Sequence, residues 1–227
     1  MAVRLFRARG AAIDLDGTLL DTVADLAAAI NAMLADFGRP ALPESAVRSF
    51  VGKGARILVH RALSGSLDGR VDDATVARGM QSFERHYARE NGRSSKLFPN
   101  VVEGLATMRA GGLRLACVTN KPQVFADALL ARIGLAAQFE FVIGGDVLPR
   151  NKPDPMQLHH ACERLGLAPS QMVAIGDSLN DAQAARAAGM PVMIVPYGYN
   201  EGLPVSAIDA DAVVADLLEA AARIEAG

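Results

Sequence analysis

Apolar residues arrive along this chain in two rhythms. Short runs that are apolar almost throughout read as buried strands: Ala11–Leu15, Leu113–Val118, Phe139–Ile143, Met172–Ile175 and Val192–Val195. Between them, apolar positions recur every three to four residues, the mark of amphipathic helices. The spacing predicts helices over Val101–Ala110, Pro122–Ile133, Pro155–Leu165 and Leu179–Ala188, each followed by a glycine. A short strand at Ala212–Val214 and a helix at Asp216–Ile224 complete the pattern. Apolar strands alternating with helices predict a parallel sheet covered on both faces.

The stretch after the first strand breaks that alternation. Val23, Leu26, Ala27, Ile30, Leu34 and Phe37 predict a helix capped by Asp21 or Thr22 and stopped by Gly38 and Pro40. Val76, Met80, Phe83 and Tyr87 line one face of another, and no strand-like alternation occurs between about 22 and 95. The expected architecture is an α/β, Rossmann-like parallel sheet made of residues 1–19 and 92–227. An all-helical block, residues 20–91, is inserted after the first strand.

Composition narrows the function. The 227 residues are 51% hydrophobic, enough for a sizeable core, and the net charge is -2 with both signs interspersed. There is no basic field for nucleic acid, and only 5% of residues are aromatic, with no Trp to stack bases. No apolar run approaches the roughly 18 residues of a membrane span. Arg4, Arg7 and Arg9 precede an apolar stretch, but Asp14 and Asp16 interrupt it, against a signal peptide. Cys117 and Cys162 have no C-x-x-C spacing and read as reduced, buried thiols of a cytoplasmic protein. A monomer or a homodimer is expected.

Polar residues collect at the C-terminal ends of the expected strands, where an open parallel sheet forms its crevice. Asp14 and Asp16 follow the first strand, Thr119, Asn120 and Lys121 the second. Lys152 precedes a helix, and Gly176-Asp177-Ser178-Leu179-Asn180-Asp181 follows Ile175. Each has a structural alternative. Thr119 can cap a helix, Lys152 can be a solvated loop lysine, Ser178 and Asp181 resemble a capping box, and Asp14 and Asp16 fit an Asx turn. D-x-D-G-T, however, recurs by chance in about one window in 10^5. Four strand ends supplying the groups that one site needs make the joint case stronger. Clustered carboxylates select a hard cation such as Mg²⁺. A lysine with hydroxyl and amide donors suits an anionic oxygen ligand. Phosphoryl transfer uses both.

In these motifs the chain resembles the haloacid dehalogenase superfamily phosphatases. D-x-D-G-T matches Asp14 to Thr18, the threonine motif Thr119, the lysine motif Lys152, and G-D-x-x-x-D Gly176 to Asp181. The resemblance implies a helical cap at the family's first insertion point. It implies Asp14 as nucleophile, Asp16 as general acid/base, and Thr119 and Lys152 on the phosphoryl oxygens. It also implies Mg²⁺ on the Asp14 side chain, the Asp16 carbonyl and Asp177, with Asp181 supporting.

Three segments are similar to bacterial phosphoglycolate phosphatases: Val51-Gly52-Lys53-Gly54-Ala55, Val118-Thr119-Asn120-Lys121-Pro122 and Tyr197-Gly198-Tyr199-Asn200-Glu201-Gly202. They imply a small phosphorylated metabolite, 2-phosphoglycolate, as substrate. Gly52 and Gly54 let the cap backbone approach it, Asn120 contacts it, and Lys53 reaches its carboxylate or is simply solvated. Hydrolysis of another small phosphate ester, or of phosphonoacetaldehyde through a Schiff base on Lys53, is the rival within the superfamily. Asp16 argues against dehalogenation. A signalling receiver is half this length, and an EF-hand fails at Leu19 and Asp25. A non-catalytic phosphate-binding protein is the remote alternative. His60, His86, His159 and His160 lack metal-ligand spacing, and Arg85, Arg89 and Arg93 read as a solvated face.

Overall fold

The structure, a computed structural model, describes residues 4–227, so residues 1–3 of the expected core segment lie outside it. The chain runs through β1 (Phe6–Ala8), β2 (Gly10–Ile13), β3 (Leu20–Asp21), α1 (Val23–Asp36), α2 (Glu44–Phe50), α3 (Ala55–Ser64), α4 (Asp73–Glu90) and β4 (Lys96–Leu97). It continues with α5 (Val101–Ala110), β5 (Arg114–Val118), α6 (Gln123–Ile133), β6 (Phe141–Ile143), α7 (Met156–Leu165), β7 (Met172–Gly176) and α8 (Leu179–Ala188). β8 (Val192–Ile194), β9 (Ala212–Val213), α9 (Leu217–Ala222) and β10 (Ile224–Ala226) end it.

Six strands form one sheet in the order β6-β5-β2-β7-β8-β9, and every neighbouring pair is parallel. The apolar strands follow from burial on both faces. In β2, Ala11 and Ile13 pack on one side with α5, α6 and α9, while Ala12 packs on the other with α7 and α8. Beyond β2 the chain builds outward through β5 and β6, then returns to the other side of β2 as β7, β8 and β9. That reversal opens a crevice at the carboxyl ends of β2, β5 and β7. Cys117 and Cys162 are buried free thiols, as expected.

Helices α1 to α4 surround an apolar cluster of their own, including Leu26, Ile30, Met33, Val47, Leu58, Leu63, Phe83 and Tyr87. Among the described residues, only Phe125 and Tyr199 join it from the sheet-bearing part. The two chain crossings into this block are zipped together, β3 antiparallel to β4 through Leu20–Leu97 and Asp21–Lys96. Buried Asp25 ties down the second crossing. Its carboxylate accepts from the backbone N–H of Gly92, Ser94 and Ser95 at 2.7–3.0 Å and from the Ser95 hydroxyl at 2.5 Å.

The structure departs from the expected elements at their edges. Strand β6 starts at Phe141 rather than Phe139. The last helix stops at Ala222, because Ile224 leaves it to pair with Phe6 in a small parallel ribbon of β1 and β10. Thr22 occupies the N-cap position of α1 but caps nothing with its hydroxyl. The Tyr199 hydroxyl accepts from the N–H of Thr22 (2.7 Å) and Val23 (3.2 Å), and the other expected cap, Asp21, accepts from the Val23 N–H with its Oδ1 at 3.4 Å. No helix of the described residues is long and apolar enough to cross a membrane.

Candidate active site

The four strand-end segments converge. Asp14 follows β2, where its N–H donates to the Ile175 carbonyl of β7 at 2.9 Å. Asp177 follows β7, and Asp181 sits in the first turn of α8. Carboxylate oxygens of Asp14, Asp177 and Asp181 all lie within 4.8 Å of one another. Three like charges so close repel strongly in a low-dielectric crevice. Lys152 offsets part of this. Its Nζ lies 2.6 Å from Asp181 Oδ1 and 2.8 Å from Asp14 Oδ1, and donates to the Val118 carbonyl at 2.8 Å.

The remaining partners show how each carboxylate is held. Thr18 Oγ1 donates to Asp177 Oδ1 at 2.9 Å, and the Tyr199 N–H donates to Asp177 Oδ2 at 2.5 Å. Asp181 Oδ2 accepts from the Ser178 N–H at 3.1 Å and its hydroxyl at 2.6 Å, so the capping contact and the site contact use one side chain. Gly17, at φ +89°, and Gly198 press against Asp177. A Cβ on either would sit 2.3 Å or less from its Oδ2, which only glycine permits.

Burial raises the Asp14 carboxyl to about 6, against the opposing pull of Lys152 and with help from Asp181. Burial, then Asp181 and Asp14, push Asp177 well above the usual aspartate range. For Lys152 burial favours the neutral amine, but Asp14 and Asp181 outweigh it and hold the ammonium charged. Three carboxyl groups share one lysine, and the raised Asp14 and Asp177 values show that ionising them together is costly without a further cation. Asp14 Oδ1 is buried and no donor is aligned to it, since Lys152 approaches off the hydrogen-bond direction. An all-oxygen donor set with an unsatisfied carboxylate oxygen fits a hard divalent cation.

Asp16 stands apart from this cluster. Its Oδ1 accepts from the Thr22 hydroxyl at 2.7 Å, and Lys121 Nζ donates to both its oxygens at 3.0 and 3.1 Å. Lys121 also donates to the Tyr87 hydroxyl at 2.6 Å. Both carboxylates of D-x-D thus reach the crevice in different surroundings.

A cavity of about 50 Å³ lies over these groups. Its floor includes Asp14, Asp16, Thr119, Asn120, Lys121, Lys152 and Asp177; its roof is apolar, with Leu26, Val51, Leu58, Phe83 and Tyr87. Thr119 Oγ1 accepts from the Lys121 N–H at 3.2 Å and remains in the cavity wall. Asn120 Nδ2 bridges the carbonyls of Gly52 (3.0 Å) and Lys152 (2.8 Å), leaving its buried Oδ1 unpartnered. Gly52 and Gly54 line the cavity, but their close approach is to Asn120 and Asn180 of the sheet-bearing part.

Lys53 is the expected site residue that the structure does not bring in. Its half-exposed ammonium pairs with Glu201 at 3.0 Å, outside the cavity lining. Glu201 also accepts from buried Arg61 at 2.7 Å, and the two cations hold its carboxyl below the usual glutamate range despite burial. The Tyr197–Gly202 segment thereby contacts Asp177, the start of α1 and the helical block together. Sequence reasoning notes Lys121, Tyr87 and Tyr199 as a strand-end lysine, a helix-face residue and part of the Tyr197–Gly202 segment, but gives them no role in the site.

Comparison with known proteins agrees with this geometry. Residues 8–189 match the family described as haloacid dehalogenase-like hydrolase. The chain is 52% identical to a phosphoglycolate phosphatase of Nitrosospira multiformis, over 94% of each chain. It is 49% identical to one of Thiobacillus denitrificans over 93% of each. The crystal structure of a predicted phosphoglycolate phosphatase from Haemophilus somnus superposes with a TM-score of 0.88 at 33% identity, covering 94% of this chain and 96% of that one. The motifs, the crevice and these relatives agree: the chain belongs to the haloacid dehalogenase-like hydrolases.

Proposed function

We propose that the protein is a Mg²⁺-dependent phosphatase that hydrolyses 2-phosphoglycolate to glycolate and phosphate through a phosphorylated Asp14. The observation that carries this is the Asp14–Asp177–Asp181 cluster bridged by Lys152 at the floor of a small roofed cavity. The names of the relatives, about half identical over nearly full length, support the substrate.

In this reading Asp14 attacks phosphorus and the ester oxygen leaves. Asp16 gives that oxygen its proton, then takes a proton from the water that attacks the acyl phosphate and frees Asp14. Thr119 and Lys152 hold the phosphoryl oxygens, and Asn120 closes the wall beside them. Mg²⁺ would rest on Asp14, Asp177 and the Asp16 carbonyl, with Asp181 supporting, and would screen the repulsion between nucleophile and phosphate. Residues 20–91 act as the cap that excludes water. A small ester suits the small cavity. Phosphonoacetaldehyde hydrolysis is disfavoured, because Lys53 is tied to Glu201 away from the cavity. The reaction needs neither nucleic acid nor membrane.

The test is a phosphate-release panel with and without Mg²⁺, covering 2-phosphoglycolate, sugar phosphates, nucleotides and phosphonoacetaldehyde. Release from 2-phosphoglycolate should dominate, require Mg²⁺, and fall roughly 10^4-fold or more in Asp14→Asn. Near-normal turnover in that variant would sink the mechanism. A stronger preference for another ester would replace the substrate.

A further inference from the structure

One buried cation at the crevice has no part in the mechanism above. Lys121 follows β5, its side chain is 2% exposed, and it touches none of the three clustered carboxylates. Its ammonium has three N–H donors and a flexible four-carbon stem. Two oxygens of Asp16 and the hydroxyl of Tyr87 take those donors, at 3.0, 3.1 and 2.6 Å. The Tyr87 ring lies 4.8 Å from the ammonium as well. That ring is itself fixed, stacked on Phe83 at 5.1 Å and edge-on to Phe125 at 4.9 Å. Tyr87 and Phe83 belong to α4; Lys121, Phe125 and Asp16 belong to the sheet-bearing part.

We infer that Lys121 is a positioning residue for Asp16, and that Tyr87 sets Lys121 only when α4 is docked over the crevice. Among the described residues Asp16 has a single other side-chain partner, the Thr22 hydroxyl, at the start of α1. Both of its supports therefore depend on the helical block. Withdrawal of α4 removes the phenol, frees the lysine stem and loosens the Asp16 carboxylate. Proton transfer to the leaving group is thereby tied to a closed site. A misplacement of about 1 Å in such a group can cost 10²-fold in rate.

The inference rests on Asp16 acting as the acid/base, and the experiment separates the two. The enzyme and its Asp16→Asn, Lys121→Met, Tyr87→Phe and Asp16→Asn/Lys121→Met variants are assayed with Mg²⁺ on 2-phosphoglycolate and on p-nitrophenyl phosphate, whose leaving group needs no proton. Rates are compared as kcat/KM, which ends at loss of the alcohol and leaves out the later attack of water, and circular dichroism reports folding in every variant. Lys121→Met should lower kcat/KM for 2-phosphoglycolate by about 10- to 100-fold and for p-nitrophenyl phosphate far less. Tyr87→Phe should show the same selectivity to a smaller degree. In the Asp16→Asn background, Lys121→Met should add less than about twofold, because both changes disable one function. Equal losses on both substrates, a rise in KM alone, or additive losses in the double variant would overturn the inference and make Lys121 a structural or phosphate-binding group. Absence of leaving-group selectivity in Asp16→Asn itself would instead overturn the acid/base reading.

Discussion

Asp14 and Asp16 are two residues apart and meet opposite surroundings. Asp14 is packed against other carboxylates with an oxygen to which no donor is aligned, and Asp16 is held by a lysine and a threonine. Two carboxyl groups in contrasting environments are how one site separates a nucleophile from an acid/base. Replacing Asp16 by Asn should slow 2-phosphoglycolate hydrolysis by about 10²- to 10⁴-fold, the usual range for general acid–base catalysis. In kcat/KM, which leaves out the later attack of water, the loss on p-nitrophenyl phosphate should be much smaller, and equal losses there would mean that Asp16 does not protonate the leaving group. The residues of this site were legible in the sequence where chemistry dictates type at a strand end: Asp14, Thr119, Lys152 and Asp177. Lys121 and Tyr87 meet across 34 residues, and the Tyr199 hydroxyl meets Val23 across 176. No local pattern reports such contacts. Lys53 illustrates the converse, since its type suggested a substrate contact while its partner Glu201 comes from a distant loop.

The helices and buried strands follow from periodicity, and several boundaries, such as Val101–Ala110 and Leu179–Ala188, coincide with the expected ones. The β3–β4 ribbon was not legible because two-residue strands carry no period. It nevertheless determines where the helical block enters and leaves. Asp25 holds that junction as a buried acceptor for three backbone N–H groups and one hydroxyl. Asp25→Ala leaves those donors without an acceptor and should lower unfolding stability by about 2–3 kcal/mol. Urea unfolding followed by circular dichroism measures this. A loss under about 0.5 kcal/mol, typical of plain surface changes, would mean the junction is held by other contacts.

For the whole molecule, the crevice imposes a cost on folding without a cation. Asp14, raised by burial to about 6, and Asp177, also raised by burial, take up protons in the folded state that the unfolded chain, at the ordinary value of 3.8, does not. A raised folded pKa makes the Asp14 contribution to stability fall as pH rises from about 4 through 6, and Asp177 acts in the same direction. In the proposed function Mg²⁺ would compete with those protons and bind only the folded site. Thermal unfolding should therefore show a larger rise in Tm on adding Mg²⁺ at pH 8 than at pH 5. Equal rises would remove these carboxylates from the metal site.

The covalent role of Asp14 is the centre of the account, and the stereochemical course at phosphorus tests it without requiring an intermediate to accumulate. A phosphate ester made chiral at phosphorus with oxygen isotopes and sulfur is hydrolysed in isotopically labelled water, and the configuration of the released thiophosphate is determined. Attack by Asp14 followed by attack of water inverts phosphorus twice, so the account predicts net retention. Net inversion, the outcome of direct attack by water, would contradict it.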